Sequence, residues 1–359
     1  HAGVAPWPRR AVAAVMRFAE ESHACGVTTY EGWLRTEANL RQSVCRLIQG
    51  AAPEDIALLK NTSEGLSVVA HGLSWRAGDN IVTTDQEFPS NRIVWQSLAA
   101  QGVELRQAAL DGVTPPEELL FRCVDQRTRL IAVSSVQFGT GLRMDLERIG
   151  EYCRRHGILF CVDAIQSLGA LEFDLEAIQA DFVAADGHKW MLGPEGVALF
   201  YVRPELRERL TLRQFGWHMV EAMGDYARAD WSPARSARRF ECGSPNLLGI
   251  HALEASLSLL LEIGLKTASR KILNNSSYLI ELIDNNPDSL ELLSARDPGR
   301  RSGIVTFRHR ALPAAELYQV LRDQGVICAM RGGGIRFSPH FHTRRESLEN
   351  AMRLVLAAG

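Results

Sequence analysis

Residues 180 to 203 read ADFVAADGHKWMLGPEGVALFYVR, and this stretch decides the fold class. Two apolar runs within it, Phe182 to His188 and Val197 to Arg203, have the composition of buried β-strands. Only the loop-like MLGPEG at 191 to 196 separates them, which is too short for the helix of a parallel crossover. We therefore expect the second of these strands to run antiparallel to the first.

Upstream of this stretch, β-rich runs alternate with helical patterns. Five further runs are typical of strands: Ile56 to Lys60, Asn80 to Thr84, Glu104 to Ala108, Arg129 to Val136 and Ile158 to Ala164. The intervening segments predict helices: Glu64 to Trp75, Asn91 to Gln101, Pro116 to Asp125 and Leu146 to His156. Such alternation predicts right-handed crossovers, and hence a doubly wound α/β core with a seven-stranded, mainly parallel sheet.

The pattern changes after residue 246. Two long helical runs, Leu247 to Ile263 and Lys271 to Asp284, are followed by strands near Gly303 to Arg308 and Gly334 to Ser338. We expect a smaller α+β domain over residues 247–359, a large cofactor-binding α/β domain over 31–246, and an N-terminal segment, 1–30, that packs with the small domain.

Composition and charge exclude several function classes. The 359 residues include 40 Lys and Arg against 42 Asp and Glu, so a formal charge of -2 leaves no net field that would attract nucleic acid or an anionic membrane. Apolar stretches are far shorter than the roughly 18 residues of a membrane span. Seven scattered cysteines without a CxxC motif predict neither disulfides nor a metal cluster. We expect a soluble, cytoplasmic protein.

Polar residues directly after the predicted strands indicate the chemistry, because ligands of open α/β sheets bind beyond the carboxyl ends of the strands. Asn61 to Glu64 opens a helix whose amides and hydroxyls suit a phosphate. Asp163 offers a carboxylate to a pyridinium nitrogen, Lys189 an amine that forms imines, and Phe88 an aromatic face for a planar ring. Together these are the four needs of pyridoxal phosphate.

Each of these residues also has an ordinary structural explanation. The first motif can be a helix cap that Glu64 completes, and Asp163 can belong to a buried ion pair or a turn. Lys189 alone would be a solvated surface lysine, and Phe88 alone a core residue. Their occurrence in one order on successive strand ends favours the joint interpretation.

The sequence also resembles a known family in motifs that span nearly the whole chain. VDAIQSLGALEFDL at 162 to 175, followed by the stretch at 180 to 203, is similar to the pyridoxal-phosphate signature of class V aminotransferases. This superfamily includes cysteine desulfurases, selenocysteine lyases, kynureninase and isopenicillin N epimerase-like proteins, and it implies the fold type I architecture of pyridoxal-phosphate-dependent transferases. The similarity extends to LLKNTSEGLSVVAHGL, EFPSNRIVWQ, RRFECGSPN and GIRFSPHFHT.

The resemblance implies a role for each matching residue in holding the cofactor. Lys189 would bind it as a Schiff base and move protons at the substrate Cα, while Asp163 would keep the pyridine nitrogen protonated. Gln166 would donate to the phenolic oxygen, and Phe88 would stack where many relatives have His. Thr62 and Ser63 would hold the phosphate.

The resemblance also implies a substrate site and a homodimer. His188 would touch the phosphate or act on the substrate, and Arg336 would clamp the α-carboxylate of a small amino acid. Ser244 matches a hydroxyl that reaches the phosphate of the neighbouring subunit, which places the active sites at a dimer interface. Asp186 departs from the pattern, because an ionised carboxylate would repel a phosphate unless Arg238 or Arg239 lies close.

Other departures bear on the reaction. The loop that carries the nucleophilic cysteine of many desulfurases is missing between Gly325 and Pro339, and we interpret Cys328 as a buried small residue. Gly332 to Gly334 predicts a tight turn rather than a phosphate loop. An aminotransferase or Cβ–S lyase is therefore our main hypothesis. The alternatives are an epimerase, a cysteine desulfurase or selenocysteine lyase, and a non-catalytic ligand-binding relative.

Overall fold

The computed structural model describes residues 1–359, which form two β-sheets and the helices that cover them. The larger sheet has seven strands, which in chain order are β1 (Ile56–Leu59), β2 (Asn80–Thr84), β3 (Glu104–Ala108), β4 (Thr128–Ser134), β5 (Leu159–Asp163), β6 (Phe182–Asp186) and β7 (Ala198–Val202). Across the sheet they lie in the order β1-β7-β6-β5-β4-β2-β3. The predicted α/β fold with a seven-stranded, mainly parallel sheet is confirmed.

Strand β7 runs antiparallel to both of its neighbours. It pairs with β6 so that Asp186 lies opposite Ala198, and it pairs with β1 on its other side. The pairs β2–β3, β2–β4, β4–β5 and β5–β6 are all parallel. The short turn at 191 to 196 thus reverses the chain as predicted. The carboxyl ends of β5 and β6, Asp163 and Asp186, meet at one edge of the sheet.

Helices cover both faces of this sheet. The helices of the chain are α1 (Arg9–Cys25), α2 (Tyr30–Ile48), α3 (Thr62–Gly72), α4 (Ser90–Gln96), α5 (Pro116–Arg122), α6 (Leu146–His156), α7 (Leu175–Ile178), α8 (Leu247–Ile263), α9 (Leu265–Asp284), α10 (Ala314–Asp323) and α11 (Arg345–Ala357). Successive residues of β4 point to opposite faces, so Leu130 packs with α3 and α4 whereas Ile131 packs with α2 and α6. Burial on both faces explains the almost continuous apolar runs in the sequence.

The smaller sheet lies in the C-terminal part of the chain and is entirely antiparallel. Its strands β8 (Leu290–Leu292), β9 (Val305–His309), β10 (Ala329–Arg331) and β11 (Gly334–Phe337) lie in the order β10-β11-β9-β8. Apolar residues of α9, α10 and α11 pack against it, for example Leu279, Leu317 and Met352. The expected α+β composition of this region is confirmed.

Helix α8 connects the two parts. Leu253 and Leu257 of α8 share an apolar cluster with Leu40 of α2 and with strands of the large sheet, although α8 follows residue 246. At the other end of the chain, the amino group of His1 donates to the carbonyl of Ser338 across 3.0 Å. The boundaries predicted at residues 30 and 246 stay predictions.

No helix taken singly is long and apolar enough to cross a membrane. Helices α8 and α9 meet the length and composition criteria only as a pair, and an 84° bend separates them.

Candidate active site

A cavity of about 360 Å³ lies at the carboxyl ends of β5 and β6. It brings together nine of the ten site residues predicted from the sequence: Thr62, Ser63, Phe88, Asp163, Gln166, Asp186, His188, Lys189 and Arg336. These residues come from strands of both sheets, from the start of α3 and from the loops that follow β2, β5 and β6, so only the tertiary structure unites them. The tenth, Ser244, lies elsewhere.

Lys189 lies in the turn that follows β6. The amide of Gly193 donates to the carbonyl of Gly187 across 2.8 Å and closes this turn, and a side chain at position 187 would approach Leu253 within 2.9 Å. The turn therefore buries the lysine, leaving it 8% exposed. Burial lowers the pKa of its amine to about 8, against the pull of the nearby Asp163 carboxylate. Lys189 thus loses its proton at a lower pH than an exposed lysine, although most of it is still protonated at pH 7.

Asp163 ends β5 and is almost completely buried. One carboxylate oxygen accepts a hydrogen bond from the amide of Ile165 at 3.0 Å, and no arginine or lysine forms an ion pair with it. Burial raises its pKa to about 6. A cationic N–H group in the cavity would stabilise the ionised carboxylate, since it would replace the hydration that burial removes.

The amide of Gln166 is fixed at both ends. Its oxygen accepts from the indole of Trp190 at 2.9 Å, and its nitrogen donates to the carbonyl of Ala2 at 3.1 Å. A primary amide has two N–H donors, so one stays available to a ligand. The neighbouring Trp190 thereby sets the orientation in which Gln166 presents that donor.

Phe88 covers the other side of the cavity. Its ring lies 5.5 Å from the amine of Lys189 and packs edge-on against Phe138 at 5.2 Å between ring centroids. The ring is 40% exposed, so it is a cavity wall rather than a core residue. An aromatic face in this position suits a planar ligand.

Thr62 and Ser63 line the cavity at the first turn of α3. Asn61 caps this helix by accepting from the amide of Glu64 at 2.9 Å, so the cap is present, and the phosphate interpretation stays a prediction. The Ser63 hydroxyl donates to the hydroxyl of Ser90, which comes from α4 and also lines the cavity. Two helix starts thus bring hydroxyl groups to one end of the site.

Asp186 ends β6 and lies next to the imidazole of His188. Its carboxylate lies 3.0 Å from Nδ1 of His188, although the two atoms are not aligned for a hydrogen bond. Arg238 instead donates to the main-chain carbonyls of His218 and Val220, and Arg239 does not line the cavity. Neither Arg238 nor Arg239 therefore offsets the charge of Asp186, and the part of Asp186 in cofactor binding stays a prediction.

Arg336 is a buried cation without an anion. It lies in β11, is 5% exposed, and donates to the carbonyl of Phe138 at 2.7 Å, while its Nε has no partner. Burial lowers its pKa to about 10, and no carboxylate offsets this effect. A buried guanidinium in such surroundings is a site for an anion that arrives from solution.

Comparison with known proteins identifies the family. The family described as aminotransferase class V matches residues 1–358. An uncharacterized aminotransferase of Bacillus subtilis is 32% identical over 88% of this chain and 82% of its own length. A probable cysteine desulfurase of Methanothermobacter thermautotrophicus is 30% identical over 97% of this chain and 91% of its own. The chain belongs to the class V aminotransferase family.

Solved structures agree on the architecture of this class V protein. The apo structure of a cysteine desulfurase from Thermococcus onnurineus NA1 is similar with a TM-score of 0.87 and 25% identity, covering 98% of this chain and 92% of that one. The complex of the cystine C–S lyase C-DES with cysteine persulfide has a TM-score of 0.91 at 24% identity, with coverages of 99% and 96%. The second likeness concerns the fold alone.

The cavity of the class V protein fits pyridoxal phosphate, the cofactor on which this family of enzymes depends. The observation that tests the fit is a set of buried polar atoms at the cavity that form no hydrogen bond: Oδ1 of Asp186, Nδ1 of His188 and Nε of Arg336. Such atoms are costly unless a ligand satisfies them. The donor set is also of the right kind, with hydroxyls and a helix start at one end and an unpaired carboxylate at the other.

Ser244 lines a second cavity of about 380 Å³, together with Leu58, Lys60 and Cys242. The chain therefore does not bring Ser244 together with Lys189 in one cavity. The role in a neighbouring subunit, which the resemblance implied, stays a prediction.

No cysteine lines the cavity that contains Lys189. Cys328 is half-buried against the small-sheet core, and burial raises the pKa of its thiol to about 11. Cys242 donates to the side chain of Gln214 at 3.4 Å in the second cavity. Neither thiol is positioned to attack a ligand beside Lys189.

Sequence reasoning missed several residues of the class V site. Ser90, Phe138 and Arg331 all line the cavity. Glu87 is buried beneath it and accepts hydrogen bonds from the side chains of four residues, Thr84, Asn91, Ser134 and Gln137. An acidic residue directly before Phe88 was the available signal for Glu87, but its partners come from three separate segments.

Proposed function

We propose that this protein acts on a small α-amino acid as a class V aminotransferase or Cβ–S lyase, with Lys189 as the residue that binds the cofactor covalently and moves the Cα proton. The observation that carries this proposal is a buried lysine with a lowered pKa, set between a buried carboxylate and an aromatic face. The protein would use this amine both as a nucleophile and as a base.

The cavity residues divide into groups that would hold different parts of the cofactor. Asp163 would pair with the ring nitrogen, Gln166 would donate its free N–H to the ring oxygen, and Phe88 would cover the ring face. Thr62 and Ser63 would bind the phosphate at the start of α3. When bound, pyridoxal phosphate supplies an electron sink for the substrate carbanion.

His188 and Asp186 would complete the phosphate end of the cavity. The imidazole of His188 lies 3.0 Å from the Asp186 carboxylate, so it can stand between this carboxylate and a phosphate. The hydroxyl oxygen of Thr62 accepts from the amide of Asp186 at 3.0 Å, which leaves the Thr62 proton free for donation.

Arg336 would bind the α-carboxylate of the substrate. Its guanidinium donates one hydrogen bond to the carbonyl of Phe138, and no carboxylate of the protein forms an ion pair with it. Binding there holds the amino acid so that its Cα lies near Lys189, which shares the cavity. Lys189 then removes or returns the Cα proton.

The absence of a cysteine from the cavity supports transamination or β-elimination over the persulfide chemistry of a desulfurase. A desulfurase of that type needs a thiol that receives sulfur beside the cofactor. The intact set of Lys189, Asp163 and Gln166 supports an enzyme rather than a ligand-binding relative.

We infer that the functional unit is a homodimer. Ser244 lies in a cavity apart from Lys189, so a second subunit is required for it to reach a cofactor. The nearby loop exposes Phe215, Tyr226 and Trp231, each more than half exposed, and such apolar surface is typical of subunit interfaces. The seven unpaired cysteines support a reducing, cytoplasmic location.

Covalent attachment of the cofactor tests the proposal. The purified protein is incubated with pyridoxal phosphate, reduced with borohydride and digested, and the modified peptide is identified by mass spectrometry. We expect the label on Lys189, its loss in Lys189→Ala, and no change in the control Lys266→Ala, which alters an exposed lysine of α9. Absence of the label, or a label on another lysine, would overturn the proposal.

The reaction is identified by its products. A panel of amino acids is added to the loaded enzyme, and keto acid, sulfide and the enantiomer of the substrate are measured in parallel. Keto acid without ammonia release supports transamination, and keto acid released together with ammonia and sulfide or persulfide supports elimination. Formation of the enantiomer alone would favour the epimerase alternative.

A further inference from the structure

The β10–β11 hairpin brings a second arginine to the cavity of Arg336. In the register of this hairpin, Ala329 lies opposite Arg336, and Arg331 lies opposite Gly334. Residues two apart on a strand share a face, so Arg331 and Ala329 lie on the face of Arg336 and Gly334. The two arginines are therefore diagonal neighbours, with Cα atoms about 7 to 8 Å apart. Both line the cavity.

Glycines hold the hairpin in this position. Gly332 has a φ of +57°, and a Cβ there would lie 2.6 Å from the carbonyl oxygen of Gly139. A Cβ at Gly334 would lie 2.1 Å from the carbonyl oxygen of Phe307. The turn thus packs backbone against backbone on the loop next to Phe138, whose carbonyl binds Arg336. These close contacts hold the backbone next to Arg331 in place.

Neither arginine has an anionic partner. The guanidinium of Arg331 donates only to the carbonyl of Met330, at 2.8 Å, and Arg336 donates to that of Phe138. The carboxylates of the cavity are those of Asp163 and Asp186, and the latter lies against His188. Two guanidinium groups without an anionic partner thus line one cavity. One of them is sufficient to bind an α-carboxylate.

We propose that Arg331 binds an anionic group on the side chain of the substrate, so that the preferred substrate is an α-amino acid with a short acidic side chain. This inference rests on the proposed function. The volume of about 360 Å³ is at the small end of ligand sites, which span about 300 to 1,000 Å³, so it favours a short side chain. A carboxylate and a sulfinate share the required chemistry, because each presents two oxygens to the planar fork of arginine.

Binding of unreactive acids to the cofactor-loaded enzyme tests this inference without turnover. Succinate and butyrate have the same number of carbon atoms and differ by one carboxylate, and their dissociation constants are measured by calorimetry. We expect wild-type enzyme to prefer succinate. Arg331→Gln should weaken succinate binding about tenfold to a hundredfold, as expected for loss of one charged hydrogen-bonded pair, and leave butyrate binding unchanged.

Two further variants serve as controls. Arg353→Gln removes an exposed arginine from α11, outside the cavity, and should change neither acid. Arg331→Lys keeps the charge and should restore part of the succinate affinity. Equal binding of succinate and butyrate by wild type, or an equal loss of both in Arg331→Gln, would overturn the inference.

Steady-state kinetics distinguishes recognition of the acidic side chain from recognition of the α-carboxylate. Aspartate, glutamate and cysteine sulfinate are compared with 2-aminobutyrate, and Arg331→Gln should lower kcat/KM for the acidic substrate only, through KM. Loading of the cofactor on Lys189 is measured in the same samples. An enzyme that loads the cofactor but shows no preference for acids would overturn this inference alone, whereas failure to load would overturn the proposed function.

Discussion

The imidazole of His340 donates a hydrogen bond from Nε2 to the main-chain carbonyl of Trp190 across 3.0 Å. The amide of Phe341 donates to Nδ1 at 2.9 Å, so Nδ1 is the acceptor and the proton must be on Nε2. The indole of Trp190 in turn donates to Gln166. Strand β11 carries Arg336, and the segment that follows it is thus hydrogen-bonded to the turn that carries Lys189.

The burial of His340 predicts acid sensitivity, although the hydrogen bond to Trp190 acts in the opposite direction. Burial lowers the pKa of His340 to about 3, whereas an unfolded histidine titrates near 6.5. The unfolded state therefore binds the proton first, and stability is lost as the pH falls from about 6.5 towards 3. The loss from this one group is on the order of 5 kcal/mol.

Denaturant unfolding of the apoprotein as a function of pH measures this effect. His340→Gln should be less stable than wild type at pH 7 and should lose less stability on acidification. His23→Gln, which changes an exposed histidine of α1, should keep the wild-type pH dependence. An unchanged slope in His340→Gln would contradict the prediction.

The buried amine of Lys189 should lower the stability of the apoprotein. Its pKa is lowered to about 8 from the ordinary 10.5, so protons are bound more weakly in the folded state. Below about pH 8 the full penalty applies, on the order of 3 kcal/mol, and it disappears as the pH rises through 10.5. Lys189→Met should therefore be more stable than wild type at pH 7.

Unfolding of the apoproteins at pH 7 and at pH 10 distinguishes the cost of the buried charge from a difference in side-chain packing. The advantage of Lys189→Met should shrink at the higher pH, and Lys266→Met should show no advantage at either. A constant advantage across this range would show that charge is not its cause.

Glu87 should be required for the stability of the site. It is 5% exposed and accepts from Asn91 and Gln137 at 2.8 Å each, in addition to Thr84 and Ser134. Glu87→Ala leaves these buried donors without an acceptor and should cost about 3 kcal/mol or more. Thermal unfolding checks the value, with the exposed Glu195→Ala as the control.

The spectrum of the bound cofactor reports a second effect of Glu87. Its charge contributes to the raised pKa of Asp163. Glu87→Gln should lower that pKa and shift the pH at which the spectrum changes. A spectrum with the wild-type pH dependence would contradict the coupling.

Mixed dimers test whether Ser244 acts in the partner's site. Ser244→Ala should weaken cofactor binding about tenfold, as expected for loss of one charged hydrogen bond. In a dimer of one Ser244→Ala subunit and one Lys189→Ala subunit, one site carries both defects and the other carries neither. Half of the sites should then bind the cofactor with wild-type affinity.

Each homodimer of the single variants provides the control for this experiment. A mixed dimer in which every site retains a defect would mean that Ser244 acts within its own chain. Sedimentation of the wild type should give the mass of a dimer, and a monomer would contradict the interface inferred from Phe215, Tyr226 and Trp231.

Much of the fold was predictable because its signals are local. The run Phe182 to Asp186 is uniformly apolar up to its last residue because both sheet faces are covered, and the six residues at 191 to 196 permit only a reversal. The polar residues at strand ends, such as Asp163 and Lys189, were found for the same reason. A parallel sheet places all such ends at one edge. The helices α1 and α2 and the short strand β8 lacked so clear a pattern.

Contacts between distant segments were decided by the tertiary structure alone. His340 and Trp190 are 150 residues apart, and no feature near either one indicates the other. Asp186 meets His188 rather than the arginines that follow Ser236, because that choice depends on the course of a loop. The pairing of Arg331 with Arg336 depends on the register of the β10–β11 hairpin. Amino-acid order determines which groups are available and where strands end, whereas packing determines which groups meet and what burial does to their charge.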